Sequence, residues 1–331
     1  MGFFFFRTPE EKEALRQAEA HREKVRLLSQ QVSKAEALRR EKDLRSLAQG
    51  GIPVKAQERL REIQDGTAGY SSDLSSDEFA LLQRSGYRVK GLVVGNAVYH
   101  VGVAYVGYQD GEVGVLTAAY MEATRLAVSR LRQEAQAIGA HGVVGVRVGM
   151  IRHEWLDHCI ELKIFGTAVE GPGKAPNSPW LCDLGVAEWY GLMRAGYQAV
   201  DLVWGHCTWF VRTTPQDEMT ESWGFMNREM EHWSHSLWQA RDRAMRHLQD
   251  QTRRAEASGV VGMRFTRRLD RIETSNSDDR IIHHNLVISM FGTAIRPNGE
   301  PPRPVRATLP MLSLRGRRME SLSLQDTAFE D

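Results

Sequence analysis

Apolar positions between residues 10 and 48 recur three and four apart, so Val25, Leu28, Val32, Ala35 and Leu38 share one helix face. The rest of this segment is Ala, Glu, Lys, Arg and Gln, all good helix formers. Gly50, Gly51 and Pro53 end it. The stripe is short and permits a coiled coil without demanding one. A second, shorter helix is expected over about residues 54–63. The stretch "DGTAGYSSDLSSDE" that follows reads as a linker.

From residue 78 onward one pattern is written twice. Ser75 with Glu78 forms a capping box before an apolar run that Gly86 closes. Aligning Gly86 with Gly196, 110 residues later, pairs Glu78 with Glu188, Arg84 with Arg194 and Tyr87 with Tyr197. The β-rich runs "VKGLVVGNAVYHVG" and "AVDLVWGHCTWFVR" are each interrupted by a glycine, Gly95 or Gly205, and read as two strands with a tight connection. A long helix then runs from about Leu116 to Ile138. Its Ala123, Ala127 and Leu131 match Ala240, Ala244 and Leu248, with the offset now 117. Small residues at this spacing let a helix lie close on a sheet. The second helix, from about Glu221 to Ala257 and rich in Trp, is expected to be the longer.

The strand "GVVGVRV" puts Val144, Val146 and Val148 on one face and Val143, Gly145 and Arg147 on the other. Its counterpart divides Val261, Met263 and Phe265 from Val260, Gly262 and Arg264. The bulky face of each is expected to bury under the helix. A closing strand turns Ile160, Leu162 and Ile164 inward, matched at an offset of 126 by Leu286, Ile288 and Met290, with a longer hairpin loop in the second copy. The fold class is therefore α+β: two tandem two-layer domains, each an antiparallel sheet packed on one long helix, preceded by a helical segment. The expected boundaries are a helical segment over 1–66, a linker over 67–77, domains over 78–173 and 181–297, and a disordered tail over 298–331. A helix covers only one face of each sheet, so the other face needs a further surface.

On "IGAHGVVGVRV … FGTAV" and "EASGVVGMRF … FGTAI" the chain resembles the YbjQ family, the heavy-metal-binding domain proteins. The resemblance spans roughly 78–170 and 188–296, in two tandem copies. It implies a dodecin-like fold and a ring-forming homo-oligomer. The helical segment and the fused second copy depart from the single-domain family pattern.

Charge and cysteine content narrow the function classes. Among 331 residues, 43 Lys plus Arg balance 42 Asp plus Glu, which argues against nucleic acid as a partner. Three cysteines without a CxxC pair offer no disulfide framework and suit a reduced, cytoplasmic setting. No apolar run approaches the ~20 residues of a transmembrane helix. The Phe3–Phe6 tip is too short for a signal segment; it reads as a flexible end, with membrane contact as the other reading.

Candidate chemistry is sparse. His158, Cys159, His206, Cys207, His283 and His284 are candidate ligands for a divalent heavy metal, although none has the spacing of a zinc framework. Arg147 and Arg264 sit at equivalent strand positions beside Gly145 and Gly262, where a backbone or ligand can approach closely; they are candidates for a subunit contact or an anion clamp. Thr167 and Thr293 in the "GTA" phrase are expected to satisfy local backbone groups. No nucleophile elbow, Ser–His–Asp arrangement, Walker loop or dinucleotide loop is visible. The expectation is a non-enzymatic oligomeric scaffold or interaction protein without a cofactor. Its first partner would be itself, and its N-terminal helices and C-terminal tail would recruit other proteins. The alternative is a heavy-metal or small-ligand binding protein.

Overall fold

The computed structural model describes residues 9–101, 109–152, 159–215, 217, 227–276, 279–299, 308–310 and 321–323. The chain divides into two compact units, one ending at Leu60 and the other starting at Arg61. In the first, α1 (Pro9–Ala48) turns back through Gly50 and Gly51 into the start of α2 (Val54–Gln64). The Asp43 carboxylate accepts the Val54 N–H at 2.7 Å, which caps α2, and Arg39 grips Glu58 through two bonds of 3.0 Å. Val32 and Leu38 of the apolar stripe are exposed.

Among the described residues the second unit carries two four-stranded sheets. Sheet I has the order β1-β4-β3-β5, formed by β1 (Arg88–His100), β4 (Cys159–Glu170), β3 (Gly142–Arg152) and the short β5 (Trp180–Leu181). Sheet II has the order β2-β6-β8-β7, formed by β2 (Gly111–Glu112), β6 (Tyr197–Val211), β8 (Asp279–Pro297) and β7 (Gly259–Asn276). All pairings are antiparallel except β3 with β5, which is parallel. Helix α4 (Gly114–Ala137) packs on β1 and β4, and helix α6 (Glu231–Arg254) packs on β6 and β8. The short helices α3 (Ser76–Arg84) and α5 (Val186–Arg194) precede β1 and β6. Two three-residue strands, β9 (Thr308–Pro310) and β10 (Ser321–Ser323), pair with each other.

The glycines expected to make tight turns do something else. Gly95 and Gly205 lie inside single continuous strands, β1 and β6. A Cβ on Gly95 would stand 2.0 Å from the Ala127 carbonyl, and one on Gly205 would stand 2.0 Å from the Ala244 carbonyl. Each glycine is the floor on which a helix backbone rests, opposite the alanine that the small-residue spacing had marked. The helix is locked there by a side chain that reaches the strand: Glu134 accepts the Val94 N–H at 2.8 Å, and Gln251 accepts the Trp204 N–H at 3.2 Å.

Three further expectations change. The two long helices have equal length, 24 residues each; residues 227–230 are not helical, and Trp223 lies outside the described residues. The additional residues of the second hairpin extend β7 and β8, which stay paired out to Asn276 and Asp279, instead of forming a loop. Strict alternation fails in β3 and β7, because bulges after Val144 and Val261 place Gly145 and Gly262 at φ 63° and 66°. Val143, Val144 and Val146 are consequently all buried. Met263 and Phe265, expected under the helix, are 45% and 48% exposed, because β7 is the outer strand of its sheet.

The two sheets also interlock. Helix α4 lies between them: one side covers sheet I, and the other covers the face of sheet II that α6 leaves bare. Arg132 meets Asp201 there at 2.6 Å, and Thr124 reaches His206 at 2.9 Å. Leu202, His206, Thr208, Ser289 and Phe291 on that face are all buried. The corresponding face of sheet I is covered at one end only, where Val144, Thr167 and Val169 are buried against Leu82, Cys182 and Asp73; at the other end Val98 is 62% exposed, and Asn96 and Lys163 are exposed.

Candidate functional site

The seam between the sheets holds the candidate site. The segment 180–184 runs along it. On one side it extends sheet I: Cys182 N–H donates to the Val143 carbonyl at 2.9 Å, and Val146 and Gly145 donate to the carbonyls of Cys182 and Leu184 at 2.9 and 3.0 Å. The positive-φ bulge is what frees the last two N–H groups, since it takes them out of the ladder to β4. On the other side Asp183 engages sheet II. Its N–H donates to Thr293 Oγ1 at 2.9 Å, the Thr293 hydroxyl donates back to its carboxylate, and Arg264 Nη2 donates to its carbonyl at 2.8 Å.

The same group recurs in sheet I. Asp73 N–H donates to Thr167 Oγ1 at 3.2 Å, and Arg147 Nε lies 3.1 Å from the Asp73 carboxylate. Thr167, Arg147 and Asp73 thus repeat Thr293, Arg264 and Asp183. The sequence signal for the two aspartates is "YSSDLSSDE" against "WLCDLGVAE": Tyr70, Asp73, Leu74 and Glu78 fall opposite Trp180, Asp183, Leu184 and Glu188. Reading residues 67–77 as a linker hides it. The environments differ. Asp183 is buried, and desolvation raises its carboxyl above the ordinary carboxylate range, with the Thr293 bond and the Arg264 charge opposing. Asp73 is exposed.

Beside Asp183 a cavity of about 340 Å³ opens between β3 and β7–β8. Arg264, Arg267 and Arg268 line one wall, Val146, Val148 and Met150 the other, and Tyr120 the end. Arg268 is held by Asp270 at 2.9 and 3.0 Å and by the Tyr120 hydroxyl. Behind the wall His206 is fully enclosed. Thr124 donates its hydroxyl to the Tyr120 carbonyl, so His206 Nε2 donates to Thr124, and Nδ1 accepts from Ser289 at 2.9 Å. Desolvation, aided by the charge of His247, holds this imidazole down at about 3, so it is neutral.

The candidate metal ligands do not converge. His206 and Cys207 are neighbours on β6 and point to opposite faces: His206 faces α4, and Cys207 lies in the core under α6, where burial pushes its thiol up to about 12. His283 and His284 split in the same way. His283 accepts from Thr213 N–H at 3.3 Å and stacks edge-on to Phe210, while His284 meets Trp233 of α6. Cys159 is buried beside His100, and His158 lies outside the described residues, as does Phe3–Phe6. Among the described residues no group of three or more His, Cys, Asp or Glu is placed to hold a metal ion. No described helix is long and apolar enough to cross a membrane.

Comparison with known proteins adds the following. Residues 84–171 match the YbjQ_1 family model, described as "Putative heavy-metal-binding". The chain is 36% identical over 251 residues to "Encapsulin nanocompartment protein Rv1762c" of Mycobacterium tuberculosis, an alignment covering 74% of this chain and 91% of the relative. It is 31% identical to a UPF0145 protein of Helicobacter hepaticus over 90 residues, 25% of this chain and 85% of the relative. A second UPF0145 protein, from Pseudothermotoga lettingae, is also 31% identical, over 97 residues, 27% of this chain and 90% of the relative. No solved structure matches.

Proposed function

The chain belongs to the YbjQ family, and from that premise we propose that it is a self-assembling scaffold that serves a protein nanocompartment, built from two copies of one sheet-and-helix unit, residues 78–173 and 181–297. One observation carries this reading. Helix α4 covers the second face of sheet II, while the matching face of sheet I is open over the half that holds Asn96, Val98 and Lys163, with Val98 62% exposed. An open sheet face beside a covered twin is what a subunit in a ring presents before its neighbour arrives. The name of the Mycobacterium tuberculosis relative supports the compartment role, since the alignment takes in nearly all of that protein. In this reading the chain binds and assembles and does not catalyse; its setting is the cytoplasm. In this reading the N-terminal helices and the C-terminal tail recruit other proteins. The test is co-expression with the encapsulin shell protein of the same host, followed by density-gradient sedimentation. Migration of the chain with the shell is expected; migration apart from it at every shell concentration would remove the compartment role.

A second reading rests on the cavity. Arg264 and Arg268, on the strand face that carries Phe291 and Val287, look onto an apolar wall in about 340 Å³, which suits a small anion with an apolar body. Isothermal titration with short-chain carboxylates and phosphate esters would detect it. Binding that Arg264→Ala weakens supports the site; no heat with any probe at millimolar concentration removes it. A heavy-metal role is tested by elemental analysis of untagged protein, and absence of stoichiometric metal removes that role.

A further inference from the structure

The seam between sheets I and II is made by two strand exchanges, and each sheet keeps one unfilled edge. β5, which leads into α5, adds to the β3 edge of sheet I. β2, which leads into α4, adds to the β6 edge of sheet II, with Gly111 opposite Phe210 and Glu112 opposite Trp209. What remains is β1 as the outer strand of sheet I and β7 as the outer strand of sheet II. The chain also carries a second copy of each inserted strand. Residues 70–74 lead into α3 as residues 180–184 lead into α5, and residues 228–229 lead into α6 as β2 leads into α4. Residues 70–73 and 228–229 are exposed, whereas Leu181, Cys182, Asp183 and Leu184 are buried.

The edges match these spare strands in detail. Gly142 of β3 is covered by the Trp180 indole: a Cβ there would lie 2.1 Å from the ring. Gly259 is its counterpart in β7, with nothing within 4 Å of a Cβ, and Tyr70, the counterpart of Trp180, is 48% exposed. The bulge N–H groups of Gly145 and Val146 are taken up by Leu184 and Cys182. Gly262 and Met263 form the equivalent bulge in β7, outside the ladder to β8.

We infer that a second copy of this chain fills these edges: residues 70–74 of one copy add in parallel to β7 of the next, with Tyr70 over Gly259, while residues 228–229 of that next copy add to β1 of the first. The joint between copies repeats the joint inside the chain. It is head-to-tail, so each copy offers one face to each of two neighbours, and a closed array follows if the rotation closes. The inference rests on the self-assembly reading and deepens it by naming the contact.

Two variants separate the outcomes. Gly259→Val places a β-former where the lone chain has empty space, and it blocks the seat of Tyr70. Ser72→Pro removes an N–H whose counterpart, that of Cys182, bonds across the seam. Light scattering over a dilution series gives the mass, and thermal melting followed by circular dichroism confirms folding. Wild type is expected to assemble, and each variant should raise the dissociation constant at least tenfold with folding intact. If wild type assembles and both folded variants assemble equally well, this joint is overturned and the scaffold reading survives. If wild type stays a single chain at tens of micromolar, both fall. Should Gly259→Val fail to fold, Ser72→Pro alone decides.

Discussion

At the scale of single residues, the two glycines under the helices make the sharpest claim. A methyl on Gly95 would meet the Ala127 carbonyl at 2.0 Å, so helix and strand must move apart. Gly95→Ala and Gly205→Ala are each expected to destabilise by about 2–3 kcal/mol in urea unfolding. Gly259→Ala, facing empty space within one chain, should change the stability of the dissociated chain by no more than about 0.5 kcal/mol. His206 supplies a pH dependence. Its folded value, about 3, lies below the ~6.5 of an unfolded histidine, so between these pH values the unfolded chain holds a proton that the folded chain refuses. The contribution is complete above pH ~6.5 and is lost as pH falls toward 3, at about 1.4 kcal/mol per pH unit. His283, also lowered by burial, acts with the same sign. Urea unfolding of wild type and His206→Asn at pH 5 and 7.5 isolates the His206 share. Wild type should lose about 2 kcal/mol more than the variant across that interval.

Helix starts show how capping joins the two halves. Ser75 accepts the Glu78 N–H at 3.3 Å, and Glu78 accepts the Ser75 N–H at 3.0 Å; the other Glu78 oxygen takes the Val186 N–H of α5 at 3.3 Å. Those bonds from backbone donors hold the Glu78 carboxyl below its ordinary value. Ser75→Ala should cost about 1 kcal/mol of stability. Glu78→Ala should cost more, since it uncaps α3 and removes a bond to α5; comparing the two melts tests this. This capping box and the Ala123–Ala127–Leu131 stripe were legible in sequence, because each depends on neighbours a few residues apart. The purpose of Gly95 was not: a strand glycine that admits a helix and one that makes a turn look alike until the opposing Ala127 is in place. Nor were the bulges at Gly145 and Gly262, whose positive φ breaks the alternation that placed Met263 and Phe265 inside. The aspartates of the seam were hidden for a different reason. Asp73 sits in a polar stretch that reads as a linker, Asp183 stands alone among apolar neighbours, and their partners Thr167 and Thr293 lie 94 and 110 residues away.

The whole molecule is an incomplete pattern. Residues 180–184 and β2 are shared between two sheets within one chain, and their counterparts at 70–74 and 228–229 are left over, as are the edges at β1 and β7. Exposed Val98, Met263 and Phe265 belong to those leftover surfaces, whereas Thr208 and Val146, the counterparts of Val98 and Met263, are buried. Native mass spectrometry of the untagged, full-length protein at micromolar concentration addresses this most directly. A single dominant species whose mass is a whole multiple of the chain, at least three copies, is the expected result. A spectrum holding only the single-chain mass, unchanged as concentration rises, would contradict it.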